Sequence, residues 1–181
     1  MVRIHPVNEQ TAPRPTAQLL NTVRKKLGSV PNLIATMASS PAVAQAYLSF
    51  SQALASGSLS ARLREQIALT VGQANECDYC LAAHTALGKG AGLTEKETCD
   101  ARQATSHNER ERIVLQFAQK MVKVRGLVAD ADVESLRESG YTDGEVSEIV
   151  ANVSLNIFTN YFNHVAGTEV DFPAAPALCA A

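Results

Sequence analysis

The sequence predicts an all-α protein, and three observations lead to that prediction. Apolar residues recur at spacings of three and four along most of the 181 residues, which is the periodicity of a helix with one buried face. Glycine followed by a hydroxyl residue interrupts this pattern where one helix would stop and the next would be capped. Runs of alternating β-branched residues, which would indicate strands, are few.

The spacing predicts eight helices in chain order. Their N-caps are expected at Ser60, Thr94 and Thr142, each of which closely follows a glycine. Thr94 and Glu97 have the Thr-x-x-Glu form of a capping box, with a polar loop as the alternative interpretation. The predicted helical segments are 16–27, 41–56, 60–74, 78–90, 94–104, 108–124, 130–138 and 143–166.

Composition indicates one ordinary globular domain over residues 1–181. With 46% hydrophobic residues and a net charge of -2, the chain can bury a core and has no basic excess for nucleic acid or an anionic membrane.

Residues 1–15 are polar, contain three prolines and predict an extended arm instead of a secretory signal. Residues 172–181, rich in Ala and Pro, predict a second arm. No apolar run is long enough to span a membrane, so we expect a cytoplasmic protein.

A faint internal repeat accompanies the helical pattern. A shift of 82 residues lays one capped helix and its successor onto a later part of the chain. Any two amphipathic helices share apolar positions, so the pattern alone leaves a structural duplication open. The matched pairs are Ser60 and Thr142, Ile67 and Ile149, Val71 and Val153, and Tyr79 and Tyr161, whereas Glu65, Cys77 and Cys80 are matched by Ser147, Thr159 and Phe162.

Cys77, Cys80 and His84 form the candidate reactive cluster. At positions i, i+3 and i+7 they share one face of a helix, and a Cys77–Cys80 bridge requires Cys77 at the loosened first turn. Four cysteines are too few for a disulfide scaffold, and a CxxC pair in a reducing compartment is more often catalytic or metal-binding. The helix N-terminus favours the thiolate. We expect Cys80 to be the attacking thiol and His84 to hydrogen-bond its sulfur.

Glu65 joins this cluster if the chain reverses. On one straight helix Glu65 would lie too far from the thiols, but a turn near Asn75 gives an antiparallel hairpin that places Glu65 beside His84. The carboxylate would then orient the imidazole and raise its basicity. The expected arrangement is a chain of contacts from Glu65 through His84 to Cys80.

Tyr79, between the two cysteines, has two interpretations. Its phenol is a candidate member of the proton relay. An aromatic residue near a helix start, however, more often packs in the core than transfers protons.

Other interpretations of the cluster stay open. A zinc site would use Cys77, Cys80 and His84 with Glu65 as fourth ligand, although structural zinc sites usually add a second Cys or His pair that this chain lacks. A further interpretation is that the thiols are inert residues of a helix. A thiol-disulfide oxidoreductase or redox-sensing protein would exchange disulfides with a partner through the same pair. The preferred interpretation, thiol redox chemistry, uses no metal and no cofactor.

The cluster resembles the alkylhydroperoxidase D-like branch of the carboxymuconolactone decarboxylase family. The similarity rests on Glu65, eleven residues, Cys77-x-x-Cys80, three residues and His84, and it covers roughly residues 60–93. Two further segments are similar to the longer, peroxidase-related members. They are Pro31-Asn32-Leu33 and Asn160-Tyr161-Phe162-Asn163-His164.

The resemblance implies an all-helical bundle that assembles as a homo-oligomer, a trimer or a hexamer. It implies that Cys80 reduces a hydroperoxide and becomes a sulfenic acid, that Cys77 resolves this acid as a disulfide, and that a dithiol or protein donor returns the electrons. Glu65 and His84 take the proton-relay roles. The best-known member has a histidine where this chain has Tyr79, so the chain departs from the family pattern in that part of the relay. Decarboxylase members generally lack the CxxC pair, so the lactone reaction is not implied.

Three residues outside the cluster carry separate expectations. Cys99 is predicted to be a buried small hydrophobe and Cys179 an exposed thiol in the C-terminal arm. His164 lies among polar residues of an apolar helix, which indicates a substrate pocket, a subunit contact or satisfied core polar groups. The apolar helix faces exceed what one small bundle buries, so we also expect self-association through a hydrophobic surface.

Overall fold

The computed structural model describes residues 1–178, and within that range the chain forms nine helices and no strand. The all-α prediction is therefore confirmed. The helices are α1 (Arg14–Leu27), α2 (Asn32–Met37), α3 (Pro41–Ala55), α4 (Ala61–Ala74), α5 (Asp78–Gly90), α6 (Glu95–Arg102), α7 (Glu109–Lys123), α8 (Asp130–Glu138) and α9 (Asp143–Ala166).

Eight of these helices match the predicted segments to within two residues at either end. The three predicted N-caps are confirmed, since the side chains of Ser60, Thr94 and Thr142 each accept a hydrogen bond from a backbone N–H in the first turn. The capping box of Thr94 and Glu97 is also confirmed.

Helix α2 was missed by the periodicity argument. It has six residues, and five of them are buried, from Leu33 to Met37. A short helix that is covered on nearly all sides has no polar face, so it lacks the three-and-four spacing that reveals longer helices.

Helix α4 is the centre of the packing, because α5, α6, α7 and α9 all contact it. One hydrophobic cluster lies around α4, α7, α8 and α9 and contains Ile67, Leu115, Leu136 and Ile149. A second cluster lies around α1, α2, α3 and the start of α5, and both thiols of the CxxC pair belong to it. The candidate site therefore lies where the second cluster meets α4 and α9.

Both terminal segments contact the helical body. The backbone N–H of Ile4 donates to the carbonyl of Ala166 at 3.0 Å, and the Arg102 guanidinium donates to the carbonyl of Pro176 at 2.6 Å. Cys99 is half-buried in α6. Cys179 lies outside the described residues.

One face of α9 exposes apolar side chains. Val150, Phe158, Tyr161 and Val165 lie within one arc of this helix and are all solvent-exposed. Exposed apolar strips of this kind are common at protein interfaces, and the predicted self-association stays a prediction. Among the described residues, no helix combines the length and the apolar composition needed to cross a membrane.

Candidate active site

The site is built on the turn that joins α4 to α5. Helix α4 ends at Asn75, and Glu76 adopts the left-handed conformation with φ of 55°. The N–H groups of Glu76 and Cys77 return to the carbonyls of Gln73 and Gly72, at 3.1 and 2.9 Å. This is the Schellman pattern that ends many helices, with glutamate at the position where glycine is usual. The reversal predicted near Asn75 is confirmed.

Because the chain reverses here, Cys77 becomes the N-cap of α5. Its extended backbone lets its sulfur accept a hydrogen bond from the N–H of Cys80 at 3.4 Å. The two Sγ atoms are 2.6 Å apart, and both residues are almost completely buried. The expectation that Cys77 occupies the loosened start of the helix is therefore confirmed, and the pair is placed for disulfide formation.

The two thiols have opposite acidities. The hydrogen bond from Cys77 lowers the pKa of Cys80, with burial opposing it and the polar side chains of Asn163, Asn160 and Thr159 adding to it. Donating that hydrogen bond, together with burial, raises the pKa of Cys77. Cys80 is thus the more acidic thiol of the pair, and Cys77 donates the hydrogen bond that favours the thiolate form of Cys80. This is the order needed if Cys80 attacks first.

Asn163 on α9 is a site residue that the sequence argument did not assign. Its Nδ2 lies 3.3 Å from the Cys80 sulfur and 4.0 Å from that of Cys77. Nearby, the Asn160 side-chain carbonyl accepts a hydrogen bond from Asn75 at 2.9 Å and so ties α9 to the turn. The only sequence indication was the run of polar residues on an apolar helix around His164.

His164 itself lies away from the thiols. Its side chain is exposed, and its backbone carbonyl accepts a hydrogen bond from the Arg3 guanidinium. The polar run therefore divides into two groups. Asn160 and Asn163 face the CxxC turn, whereas Tyr161 and His164 are exposed.

Glu65 and His84 meet across the α4–α5 hairpin, as predicted. The Glu65 carboxylate lies 2.8 Å from His84 Nδ1, and both side chains are about one-fifth exposed. The carboxylate orients the ring and favours a proton on Nδ1.

The predicted hydrogen bond between His84 and Cys80 is not formed among the described residues. Glu65 on α4 holds the imidazole through Nδ1, while the Cys80 sulfur is contacted by Cys77 and by Asn163 from α9. The arrangement therefore contains the Glu65–His84 half of the expected chain. His84 and Cys80 share a cavity, where a bound substrate can complete the other half.

Tyr79 has a packed environment. Its phenol oxygen accepts a hydrogen bond from the N–H of Leu33 at 3.1 Å, and its ring lies edge-on to Phe172 with centroids 5.9 Å apart. Burial raises the pKa of Tyr79, the hydrogen bond from Leu33 opposes this, and the charge of Asp171 adds to it. These contacts join α5 to α2 and to the C-terminal segment, and they support the packing interpretation of Tyr79 over the relay.

A cavity of about 1140 Å³ opens above Cys80. Cys80, Glu65 and His84 line it, whereas Cys77 does not. This difference gives a small molecule access to one thiol of the pair. Apolar side chains from α1, α2, α3 and α9 form much of the wall, among them Leu19, Val23, Leu33, Ile34, Leu48 and Leu155.

Within residues 1–178, no three His, Cys, Asp or Glu side chains are grouped so as to hold a metal ion. Glu65 and His84 pair with each other, and the thiols pair with each other. The four residues of the alternative zinc site do not converge on one point, so the geometry gives that alternative no support.

Comparison with known proteins agrees with this site. The model of the Carboxymuconolactone decarboxylase family matches residues 41–120, the segment that contains Glu65, the CxxC pair and His84. No curated protein matches the chain significantly.

Three solved structures share the fold. A peroxidase-related protein with an alkylhydroperoxidase AhpD core, from Ralstonia eutropha JMP134, has 28% identity and a TM-score of 0.84, with 94% of this chain and 93% of that one covered. A peroxidase-related protein from Silicibacter sp. TM1040 has 24% identity, coverage of 92% of both chains and a TM-score of 0.80. The debrominase Bmp8, solved with 2,3,4-tribromopyrrole, has 21% identity, coverage of 94% and 92% and a TM-score of 0.80.

The first of these similarities extends over nearly the whole chain, and the family match falls on the segment that carries the thiols and their hairpin. The resemblance inferred from the sequence is confirmed: residues 41–120 match the model of the Carboxymuconolactone decarboxylase family, and the all-α fold is similar to that of AhpD-like, peroxidase-related proteins.

Proposed function

We propose that the protein is a thiol-dependent peroxidase that reduces organic hydroperoxides through Cys80. The observation that carries this proposal is the placement of the more acidic thiol, Cys80, at the wall of a largely apolar cavity, with the Cys77 sulfur 2.6 Å from it. Such a cavity suits an organic peroxide better than a highly hydrated one. The likeness to peroxidase-related proteins supports the same class of reaction.

The proposed reaction transfers one oxygen atom and two electrons. The Cys80 thiolate attacks the terminal oxygen of the hydroperoxide, so that an S–O bond forms, the O–O bond breaks and the alkoxide leaves to become an alcohol on protonation. The thiol of Cys77 then attacks the sulfenic sulfur. An S–S bond forms, and hydroxide leaves with the Cys77 proton as water.

A dithiol closes the cycle by reducing the disulfide, and the dithiol is itself oxidised to a disulfide. Both cysteines are buried, with 1% and 2% of their surface exposed. The reductant must therefore be a small dithiol, or a donor with a slender reactive arm, that reaches Cys80 through the cavity. The flat surface of a folded protein cannot approach these sulfurs directly.

Exchange of disulfides with a protein partner is the alternative function. It uses the same two cysteines but requires a partner sulfur to reach Cys80. Burial of the pair supports the peroxidase over this alternative, because a hydroperoxide is small enough to enter the cavity.

A coupled assay with cumene hydroperoxide and a small dithiol tests the proposal. We expect turnover by the wild type and none by Cys80→Ser. Without any reductant, Cys77→Ser should consume one equivalent of peroxide and stop at the Cys80 sulfenic acid, since it has no resolving thiol. Mass spectrometry of the oxidised wild type should show a Cys77–Cys80 disulfide. Cys99→Ser, which removes a half-buried thiol on α6, is the matched control and should retain full activity.

Two results would contradict this function. The first is peroxide consumption that survives in Cys80→Ser. The second is wild-type protein that leaves hydroperoxides intact while it reduces a disulfide substrate, which is the behaviour of the alternative.

A further inference from the structure

Tyr47 on α3 lines the same cavity as Cys80, Glu65 and His84. The side chain is half-buried and packs against the cluster that contains the CxxC pair. Among the described residues its phenol has no hydrogen-bond partner. The phenols of Tyr79 and Tyr141, in contrast, are engaged with backbone groups, at 3.1 and 3.3 Å.

The surroundings of Tyr47 keep its phenol protonated. Burial, together with the negative charges of Cys80 and Glu65, raises the pKa of Tyr47 to about 12. The phenol therefore remains a donor at neutral pH. Because Tyr47 lines the same cavity as Cys80 and Glu65, the charges of both groups act on its phenol.

A reacting hydroperoxide needs a proton at the oxygen that leaves. The alkoxide formed when the O–O bond breaks is a stronger base than a phenolate, so proton transfer from a phenol to it is downhill. His84 is already bound to Glu65 through Nδ1, and Cys77 and Asn163 contact the thiolate. The phenol of Tyr47 is a polar group on the cavity wall whose proton is not engaged in another hydrogen bond among the described residues. It is therefore available to the oxygen that leaves.

We propose that Tyr47 is a catalytic residue that protonates the departing alkoxide while Cys80 attacks the terminal oxygen. This inference rests on the proposed peroxidase function and assigns a donor to its first step. The S–O bond forms, the O–O bond breaks, and the phenol O–H proton passes to the leaving oxygen to give the alcohol. The phenolate then recovers a proton from water in the cavity, and Cys80 is left as the sulfenic acid.

The test compares two peroxides that differ in their leaving group. Cumene hydroperoxide releases a basic alkoxide, whereas 3-chloroperoxybenzoic acid releases a carboxylate that needs no proton. For Tyr47→Phe we expect the second-order rate of Cys80 oxidation to fall about 100-fold with cumene hydroperoxide. The rate with the peroxy acid should stay close to that of the wild type. Tyr47→Leu also removes the hydroxyl, and it serves as the test variant if Tyr47→Phe does not fold.

Two controls separate this role from others. Tyr141→Phe removes a phenol that hydrogen-bonds far from the cavity and should react like the wild type with both peroxides. Alkylation of Cys80 by iodoacetamide should have nearly the same pH profile in Tyr47→Phe as in the wild type, because a proton donor to the substrate does not set the thiolate population.

The outcomes are distinguishable. Equal losses with both peroxides, or no loss with either, overturn the role of Tyr47 and leave the peroxidase intact. A shifted alkylation profile that accounts for the whole loss also overturns it, since Tyr47 would then act on the thiol. A wild-type protein inert toward both peroxides overturns the peroxidase itself, and the role of Tyr47 falls with it.

Discussion

The α4–α5 hairpin and the long helix α9 align at a shift of 82 residues, yet the chain turns back in one and runs straight in the other. Both begin with a hydroxyl N-cap, and the matched core residues Ile67 and Ile149 are completely buried. The likeness ends at Glu76. The matching residue of α9, Phe158, continues the helix.

The turn at Glu76 is what distinguishes the α4–α5 hairpin, which carries the two thiols, from α9, which packs against it. The turn makes Cys77 an N-cap and puts Cys80 in the first turn of a new helix, where the local field favours a thiolate. Without a turn, α9 has no such helix start at the matching place. Tyr79 is buried between α5, α2 and the C-terminal segment, whereas its counterpart Tyr161 is 57% exposed on α9.

The two regions nevertheless form one site. Helix α9 crosses the hairpin and supplies the amide of Asn163 to the Cys80 sulfur. It also accepts the Asn75 side chain through Asn160, which supports the turn. The hairpin thus carries the thiols, Glu65 and His84. The uninterrupted helix α9 contributes the uncharged side chains of Asn163 and Asn160, which contact Cys80 and Asn75.

Among substitutions that distinguish the hairpin from α9, Glu65→Gln should produce the largest loss of activity. Its counterpart on α9 is Ser147, which only bonds back to its own helix, so the charge at position 65 belongs to the hairpin alone. Loss of the carboxylate removes the charge that orients His84, and we expect kcat/KM for a hydroperoxide to fall roughly 10- to 100-fold. Glu109→Gln, which breaks an exposed ion pair on α7, is the control. Unchanged steady-state kinetics in Glu65→Gln would remove this residue from the mechanism.

Asn163→Leu should have an intermediate effect, because it removes the Asn163 amide while keeping a branched side chain of similar shape. Without the Nδ2 donor the thiolate is less stable, so the pKa of Cys80 rises and less thiolate is present at neutral pH. A rise of about one unit would slow alkylation of Cys80 about 10-fold below that pKa. The pH dependence of iodoacetamide alkylation measures this directly.

Asn163→Asp extends the same test. A carboxylate beside the sulfur repels the thiolate, so the alkylation profile should move to higher pH than in Asn163→Leu. If both variants keep the wild-type profile, the hairpin alone controls the thiol and the amide of α9 has no electrostatic role.

Glu76→Gly should have the smallest effect, and a favourable one. Glycine adopts the left-handed conformation with φ of 55° without the steric cost that glutamate bears, so the free energy of unfolding should rise by about 1 kcal/mol. Urea denaturation of the reduced protein measures the change. Glu134→Gly within α8 should instead lower the free energy of unfolding by about 1 kcal/mol. A destabilised Glu76→Gly would show that contacts of the glutamate side chain outweigh its backbone strain.

Local sequence predicted much of this structure because its causes are local. Helix periodicity and the hydroxyl caps act over a few residues, and the helix ends followed from them. The hairpin was also predictable, because its turn is closed by hydrogen bonds between Gly72 and Cys77, and counting outward from that turn pairs Glu65 with His84.

Three features escaped the sequence argument for physical reasons. The short helix α2 is buried nearly all round and has no periodic polar face. Asn163 and Tyr47 reach the site from α9 and α3, and their positions depend on how helices distant in sequence pack. The expected contact between His84 and Cys80 is not formed because other elements occupy the sulfur.

The amino-acid sequence by itself therefore determined the all-α class, the caps, the turn at Asn75 and the residue types of the redox cluster, since each depends on neighbours within a few helical turns. Only the tertiary structure decided what surrounds Cys80. Packing of α9 against the hairpin brought an amide to the thiolate, and packing of α1, α2 and α3 enclosed the cavity and placed Tyr47 on its wall. Contacts of this kind depend on the distance between whole helices, which no local pattern in the chain specifies.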